Sequence, residues 1–299
     1  MAQGAPEHPV TAIVGYAPGG AADLMMRKLA MLMQPKFPAG LIVINKPGAG
    51  GATALAAVAT GKPDGSQFIF APNSNVALAP QVNALPYKNP DDITPVINVA
   101  SFAPLLVVPK DSPIKTAKDL VEAARKPGAA ISIGFPGVAT ISHLNVVGLE
   151  RASGAKFIPV PFTGWGQAAP QLLGGQISAS IAQPIEVTQM LEAGKLRALG
   201  SFSNKRQPGL DEVPTFKEQG YNVAFEARYL VAVANGTPAA TVKYLHDAFK
   251  AAMETTDFKN YLNERGTQVE YQDGPTARKA LWADYDSYKE ILPSIGSLK

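Results

Sequence analysis

Cysteine is absent from this chain and histidine is scarce, with three residues in 299. The first absence excludes disulfides, thiol catalysis and cysteine-based metal sites. The second leaves His8, His143 and His246 scattered at no ligand spacing, so no metal centre is expected. Runs of like charge are also missing. Lys and Arg outnumber Asp and Glu by 27 to 24, a net charge of +3, without clustering, so nothing marks a nucleic-acid face or a membrane-surface patch. The pairs Asp91-Asp92 and Lys205-Arg206 read as solvated turns. No apolar run reaches the roughly 20 residues of a membrane helix, and Met1 to Val10 hold no apolar signal core. A start of Met1-Ala2-Gln3-Gly4 leading into a strand fits a cytoplasmic protein and equally a secreted one whose leader has been removed.

What remains is a chain with 46% apolar residues, long enough for two domains. Its first third alternates strand and helix: Thr11 to Gly15, a helix over Ala21 to Gln34, Leu41 to Ile44, an Ala-rich helix over Ala52 to Thr60, and Gln67 to Ala71. A second series follows Val99 to Val108: helix Ala117 to Ala124, strand Ala130 to Ile133, helix Ser142 to Arg151, strand Phe157 to Val160, helix Gln167 to Leu173, strand Ile177 to Ile181. Leu196 to Ser201, a turn region near Gln207 to Pro214 and the apolar run Tyr229 to Ala234 come next. Two amphipathic helices, about Ala239 to Thr255 and Thr276 to Leu292, end the chain without further strand alternation. Short apolar strands alternating with helices predict α/β lobes with parallel, doubly wound sheets. Crossings near 99–108 and 225–234 divide the chain into a discontinuous first lobe, 1–102 plus 225–299, and a second lobe, 103–224.

Two loops share one construction. Gly15-Tyr16-Ala17-Pro18-Gly19-Gly20 and Gly134-Phe135-Pro136-Gly137-Val138-Ala139-Thr140 each follow a β-branched run and lead into a helix, so each presents backbone N–H groups and a positive helix end to an anion. Ordinary turn chemistry competes with this reading for either loop alone. Both fall at strand carboxyl ends, where ligands sit in doubly wound sheets. Nucleotides are not expected. The phosphate-loop Lys-Ser/Thr is replaced by Ala21-Ala22, and Gly48-Ala49-Gly50-Gly51 lacks the third glycine and the acid of a dinucleotide fingerprint. Asp23 reads as a helix-end complement. Thr140, Ser142 and His143 serve either as N-cap or as ligand donors. Asn73-Ser74-Asn75 and Phe162-Thr163-Gly164-Trp165-Gly166 are further polar strand-end loops. Arg228 begins an apolar run, where a charge needs a partner: a ligand anion or an internal acid such as Glu226.

The chain resembles the substrate-binding receptors of tripartite tricarboxylate transporters, the Bug (Bordetella uptake gene) or TctC family. Residues 16–23 resemble that family's Pro-Gly-Gly-x-x-Asp loop and residues 45–51 its Asn-x-Pro-Gly-Ala-Gly-Gly segment. Pro63-Asp64-Gly65, Leu85-Pro86-Tyr87, Leu172-Leu173-Gly174-Gly175-Gln176, Ala193 to Leu199, Glu212-Val213-Pro214-Thr215 and Gly236-Thr237-Pro238 follow in order. The resemblance implies a two-lobed periplasmic-binding-protein fold, type II-like, with a small carboxylate held in the interlobe cleft. It implies a periplasmic, monomeric protein, mature and without its signal peptide, that hands its ligand to membrane permease subunits, with no cofactor, no nucleic acid and no insertion into the membrane. Carried over residue by residue, the ligand positions are Tyr16, Ala17, Pro18, Gly19, Gly20, Ala21, Gly137, Ala139, Thr140 and His143, with Asn73, Ser74, Asn75, Phe162, Thr163 and Gly164 as pocket loops and Gln183 after the last strand.

Departures from the pattern bear on the ligand. Ala139 stands where the family usually has glycine, Phe162-Thr163-Gly164 replaces Tyr-Lys-Gly, and Ala182 replaces a common acid, which argues against an amino group on the ligand. Arg228 stands where an aromatic is usual. Together they point to a dicarboxylate, aromatic ones included given Tyr16, Phe135, Phe162 and Trp165. An α/β enzyme acting on an organic acid is the alternative, but no nucleophile or paired carboxylates emerge in one pocket, and no catalytic residue is expected.

Overall fold

A computed structural model describes residues 6 and 8–295; the outermost ends of the expected first lobe, 1–5, 7 and 296–299, lie outside the described residues. From the N-terminus run β1 (Val10–Val14), α1 (Ala21–Met33), β2 (Leu41–Asn45), α2 (Ala52–Ala59), β3 (Gln67–Pro72), α3 (Asn73–Ala77), α4 (Ala79–Val82) and β4 (Ile93–Phe102). Then come β5 (Leu105–Pro109), α5 (Ala117–Arg125), β6 (Ser132–Phe135), α6 (Ile141–Ser153), β7 (Ile158–Pro161), α7 (Trp165–Leu173), β8 (Ala179–Ala182), α8 (Pro184–Glu192) and β9 (Leu196–Ser201). The chain ends with β10 (Ala227–Ala234), α9 (Ala239–Glu254), α10 (Thr256–Asn263), β11 (Gln268–Asp273), α11 (Gly274–Tyr288) and α12 (Leu292–Ile295).

Two sheets result. The first has the order β11-β4-β10-β3-β1-β2 and the second β7-β6-β8-β5-β9. Each contains a parallel core, β2-β1-β3 and β7-β6-β8. The sheets are not wholly parallel, as the alternation predicted: β10 runs antiparallel to β3 and β4, β11 antiparallel to β4, and β5 antiparallel to β8 and β9. The antiparallel strands include those through which the chain passes between sheets, β4 into β5 and back into β10. A strand arriving from the other lobe enters its sheet from the opposite end, and hydrophobic alternation carries no record of that direction.

Local chemistry explains the elements that matter. Strand β1 is almost wholly buried and apolar, as a central parallel strand must be. Helix α1 buries Ala21, Ala22, Met25, Met26, Leu29 and Met33, a stripe at helical spacing, against that sheet. Strand β11 has only partly buried and exposed side chains, which is why no alternation announced it. Asn73-Ser74-Asn75, expected as a loop, starts α3 directly after β3.

The lobes are closed on one another. Ile141, Leu144 and Val147 of α6 and Ile185 of α8 belong to the same buried cluster as Met25, Phe70 and Tyr229 of the first sheet's layer. Ala17 N–H donates to Thr163 O at 3.1 Å across the divide. Asn145 of α6 exchanges two hydrogen bonds with the backbone of Phe225, at 2.9 and 3.1 Å, where the chain recrosses. Glycine loops meet where the lobes touch: Gly50, at φ +61°, lies so close that an added Cβ would stand 2.6 Å from Val138 O. Substituting Gly50→Ala should therefore hold the lobes apart as well as cost about 1 kcal/mol in a left-handed conformation. Small-angle scattering should show a larger radius of gyration for the variant; an unchanged radius would mean the loops yield locally.

Candidate functional site

The carboxyl ends of β1, β3, β6, β7 and β8 all deliver their loops to one interlobe crevice. Tyr16, Gly20 and Ala21 come from the first loop, Pro72 and Ser74 from the end of β3 and the start of α3, and Pro136, Thr140, Ile141 and Ser142 from the start of α6. Gly164, Gln183 and Glu186 close it from the second lobe, and Ala227 and Tyr229 form its floor. The cavity is only about 20 Å³. That volume is about what one water needs, so these lobes are shut.

Helix α1 starts without a side-chain cap, because Gly20 at its head carries no side chain. Its first N–H, on Ala21, donates 2.8 Å to Glu186 Oε1, while the other oxygen of the same carboxylate accepts from Gln183 N–H at 2.7 Å. One carboxylate thus spans the lobes. Burial pushes the Glu186 carboxyl up to about 7, against the two backbone hydrogen bonds that favour its ionised form. Burial likewise raises the Tyr16 and Tyr229 hydroxyls, and the nearby Glu186 charge adds to both shifts. Three buried side-chain atoms at the crevice have no hydrogen-bond partner: Ser74 Oγ, Ser142 Oγ and Gln183 Oε1. Unpaired buried polar groups are costly, and they concentrate where a ligand completes them.

Behind Tyr16 lies a second hollow of about 320 Å³, lined by Gly48 to Gly51, Gly137, Val138, Phe162 and Thr163 among others. Tyr16 separates the two spaces and is fixed there: its Oη donates to Gly50 O at 2.7 Å, and Asn75 Nδ2 reaches the same carbonyl at 2.6 Å.

The second loop is held by its own residues. Thr140 Oγ1 donates to Gly137 O at 2.8 Å and accepts from His143 N–H at 3.3 Å, the capping role. Ala139 sits at φ +57°, a left-handed conformation that favours glycine, and its N–H donates to His143 Nδ1 at 3.3 Å. The His143 ring stacks on Phe135 with centroids 5.0 Å apart. Burial lowers its pKa to about 4, so it stays neutral, with Nδ1 as acceptor.

Arg228 faces away from the crevice, on the side of β10 opposite Tyr229. Its guanidinium pairs with Asp284 of α11, not with Glu226. Asn73 joins that group: its amide donates to Asp284 at 2.7 Å and to Tyr288 Oη at 3.0 Å, and its carbonyl accepts from Arg228 N–H at 3.2 Å. Among the described residues no Lys, Arg or His lines the crevice, and Glu186 is the acid that does.

Residues 25–296 match the model of the tripartite tricarboxylate transporter family receptor, TctC. The chain belongs to this family. A Cupriavidus necator protein, described as a UPF0065 protein in the gbd 5′ region, is 30% identical over 98% of this chain and 89% of its own length. The periplasmic binding protein BugD superposes with a TM-score of 0.91 at 27% identity, covering 97% of this chain and 98% of that one. R. palustris Rpa4515, solved with adipate, gives a TM-score of 0.91 at 25% identity over 97% of this chain and 98% of its own.

In this TctC chain the crevice unites Tyr16, Gly20, Ala21, Ser74, Thr140, Gly164 and Gln183 of the residues expected from sequence. Gly137, Phe162 and Thr163 line the second hollow. Ala17 makes the interlobe bond to Thr163, and Gly19 N–H donates to Asp23 Oδ2 at 2.9 Å. Pro18 is exposed and lines neither space. Asn73, Asn75, Ala139, His143 and Arg228 stand behind the walls. Phe135 and Trp165, expected as aromatic walls, are core residues. Sequence reasoning missed Glu186 and Tyr229; Ser142, read from sequence as either cap or ligand donor, has its hydroxyl unpaired at the crevice. The acid missing at Ala182 is supplied four residues later by Glu186, so the argument against an amino group on the ligand loses its footing. The signal was there: Gln183-Pro184-Ile185-Glu186 after an apolar strand is a helix start whose acid reaches back to the first backbone N–H.

Arg228→Ala should lower stability by about 2–3 kcal/mol by orphaning Asp284, while leaving carboxylate affinity within about twofold; denaturant melts and calorimetry separate the two. His143 gives a pH prediction. The unfolded imidazole takes a proton near 6.5 and the folded one only near 4, so stability is present above that window and is lost as pH falls through it. The loss is about 3 kcal/mol, and His143→Gln should remove it from the pH dependence of the urea midpoint.

Proposed function

We propose that this chain is an extracytoplasmic receptor that binds a small organic carboxylate between its lobes and presents it to the permease of a tripartite transporter. The observation that carries this reading is the convergence of two buried hydroxyl donors without partners, Ser74 Oγ and Ser142 Oγ, on the crevice that holds the N-terminus of α1; Gln183 Oε1 beside them is an unpaired acceptor. Hydroxyl and helix N–H donors are what a carboxylate requires, and a helix end adds a favourable dipole. Family membership supports the transport role, and Rpa4515, solved with adipate, supports a carboxylate ligand, dicarboxylates included. Arg228 no longer argues for a second acidic group, since Asp284 takes its charge.

An enzyme reading is less favoured. Glu186 has no second acid or neutral histidine beside it in the crevice, so general acid and base catalysis lacks a pair. A receptor needs only binding and closure, and the lobes must part to admit a solute larger than a water.

Ser142→Ala is the direct test. In a thermal-shift screen of carboxylates, a true ligand at about 100 times its Kd should stabilise the protein by about 2.7 kcal/mol without being consumed. Ser142→Ala should weaken that ligand about five- to tenfold, one hydrogen bond's worth, with little change in the melting of the free protein. Turnover of the stabilising compound would replace the receptor with an enzyme.

A further inference from the structure

We propose that Glu186 is a built-in competitor: without solute its carboxylate occupies the N-terminus of α1, and a solute carboxylate binds there only by displacing it. This rests on the receptor reading above and concerns the same crevice.

Four observations carry the proposal. Glu186 Oε1 takes the Ala21 N–H at 2.8 Å, the first free donor of an uncapped helix. That donor belongs to the Gly19-Gly20-Ala21 loop, the anion seat of the receptor reading, so the protein's own carboxylate sits where a solute's would. The acid comes from the opposite lobe, with its second oxygen on Gln183 N–H at 2.7 Å, so the contact closes the cleft as a bound solute would. With the acid in place the cavity is about 20 Å³, too small for any organic carboxylate. Around it Ser74, Ser142 and Gln183 keep unpaired polar atoms, so Glu186 satisfies part of the site and leaves the rest unfilled. A capping role alone would need only the bond to Gln183.

Charge makes the two carboxylates exclusive. The titratable groups facing Glu186 are Tyr16 from the first loop and Tyr229 from β10, both neutral with raised pKa values. Asp23 of α1 is turned to Gly19, Arg27 and Asn45, and α6 offers only the Ser142 hydroxyl, with His143 turned to Phe135. No cation among the lining residues neutralises a second anion. Two carboxylates at one helix end repel strongly at low dielectric. Protonation weakens Glu186 as an acceptor and removes its charge, so a solute anion should compete best on the acid side of the Glu186 transition, near 7.

The test is calorimetric titration of the wild-type protein and Glu186→Gln with adipate and with benzoate, at about pH 6 and about pH 8. Wild-type affinity should fall about tenfold between the two, with a proton taken up on binding at the higher pH. Glu186→Gln should bind at pH 8 as tightly as wild type does at pH 6, without the pH dependence. The wild-type comparison needs no substitution, so a poorly folding variant leaves the proposal exposed to refutation. Wild-type binding that ignores pH, or a variant that binds no better, overturns the competitor and leaves the receptor standing. A variant that loses binding makes Glu186 a direct ligand contact, for an ammonium for example, and also overturns it. If neither protein binds either probe, the competitor is refuted, since unmasking the seat must create affinity; failure of the wider carboxylate screen would then remove the receptor as well.

Discussion

The amide of Ala21 begins a helix that no side chain caps, and most of the cleft's design follows from that uncapped end. Gly20 leaves the helix head bare, and the two sheets bring four other strand ends to the same point, β3 from the sheet beneath and β6, β7 and β8 from the other lobe. A bare helix end in a closing crevice must find an acceptor, because an orphaned buried N–H is costly. Glu186 meets that need from the other lobe. The bond that satisfies α1 is therefore also a bond between lobes, and local capping and global closure become one event. The shared apolar cluster of α1, α6 and Ile185 and the glycine contact at Gly50 add area to the closed form, while this one carboxylate gives it polar direction.

Closure in turn explains the strained second loop. Ala139 holds a left-handed conformation that glycine adopts at no cost, and non-glycine residues pay about 1 kcal/mol or more for it. The loop is over-determined by its neighbours: Thr140 ties Gly137, His143 takes the Ala139 N–H, and Phe135 stacks on His143. These residues build a rigid wall whose free surface is Pro136, Ile141 and the Ser142 hydroxyl. The histidine is thus a fixed, neutral support.

The architecture was legible where the chain's periodicity and its glycines act locally. Strands β1 and β3 and the Met25-Leu29-Met33 stripe announce themselves because each buries a continuous apolar face, β2 because its run is β-branched and apolar although Ile42 and Ile44 are exposed, and the two glycine loops because strand, turn and helix follow in sequence. Three kinds of feature were not legible. Strand direction at the lobe crossings depends on which end of a sheet the chain enters, and β11 pairs by backbone with little burial. Side-chain facing at β10 depends on the pleat: Arg228 and its neighbour Tyr229 point to opposite faces, so one meets Asp284 and the other the crevice. Glu186 is local to α8 by sequence, but its second bond reaches α1 across 165 residues, and no spacing rule connects them.

The charge pattern of the cleft is its most informative property as a receptor. Arginine would grip a carboxylate by two charge-assisted bonds and release it slowly, since affinity within one site is tuned mostly through the off-rate. Here the guanidinium is committed to Asp284, and the crevice offers dipoles: a helix end, two serine hydroxyls and an amide. Dipoles reward a single negative group in the right place and give less to a second charge placed elsewhere. Selectivity then rests on shape and on how much of the buried polar set a solute completes, because each unfilled hydroxyl stays a penalty until the ligand meets it. A closed form with Ser74, Ser142 and Gln183 unpaired holds that penalty in reserve. The solute that accepts from both serine hydroxyls and brings a donor to Gln183 Oε1, and no smaller anion, gains the full difference on closure.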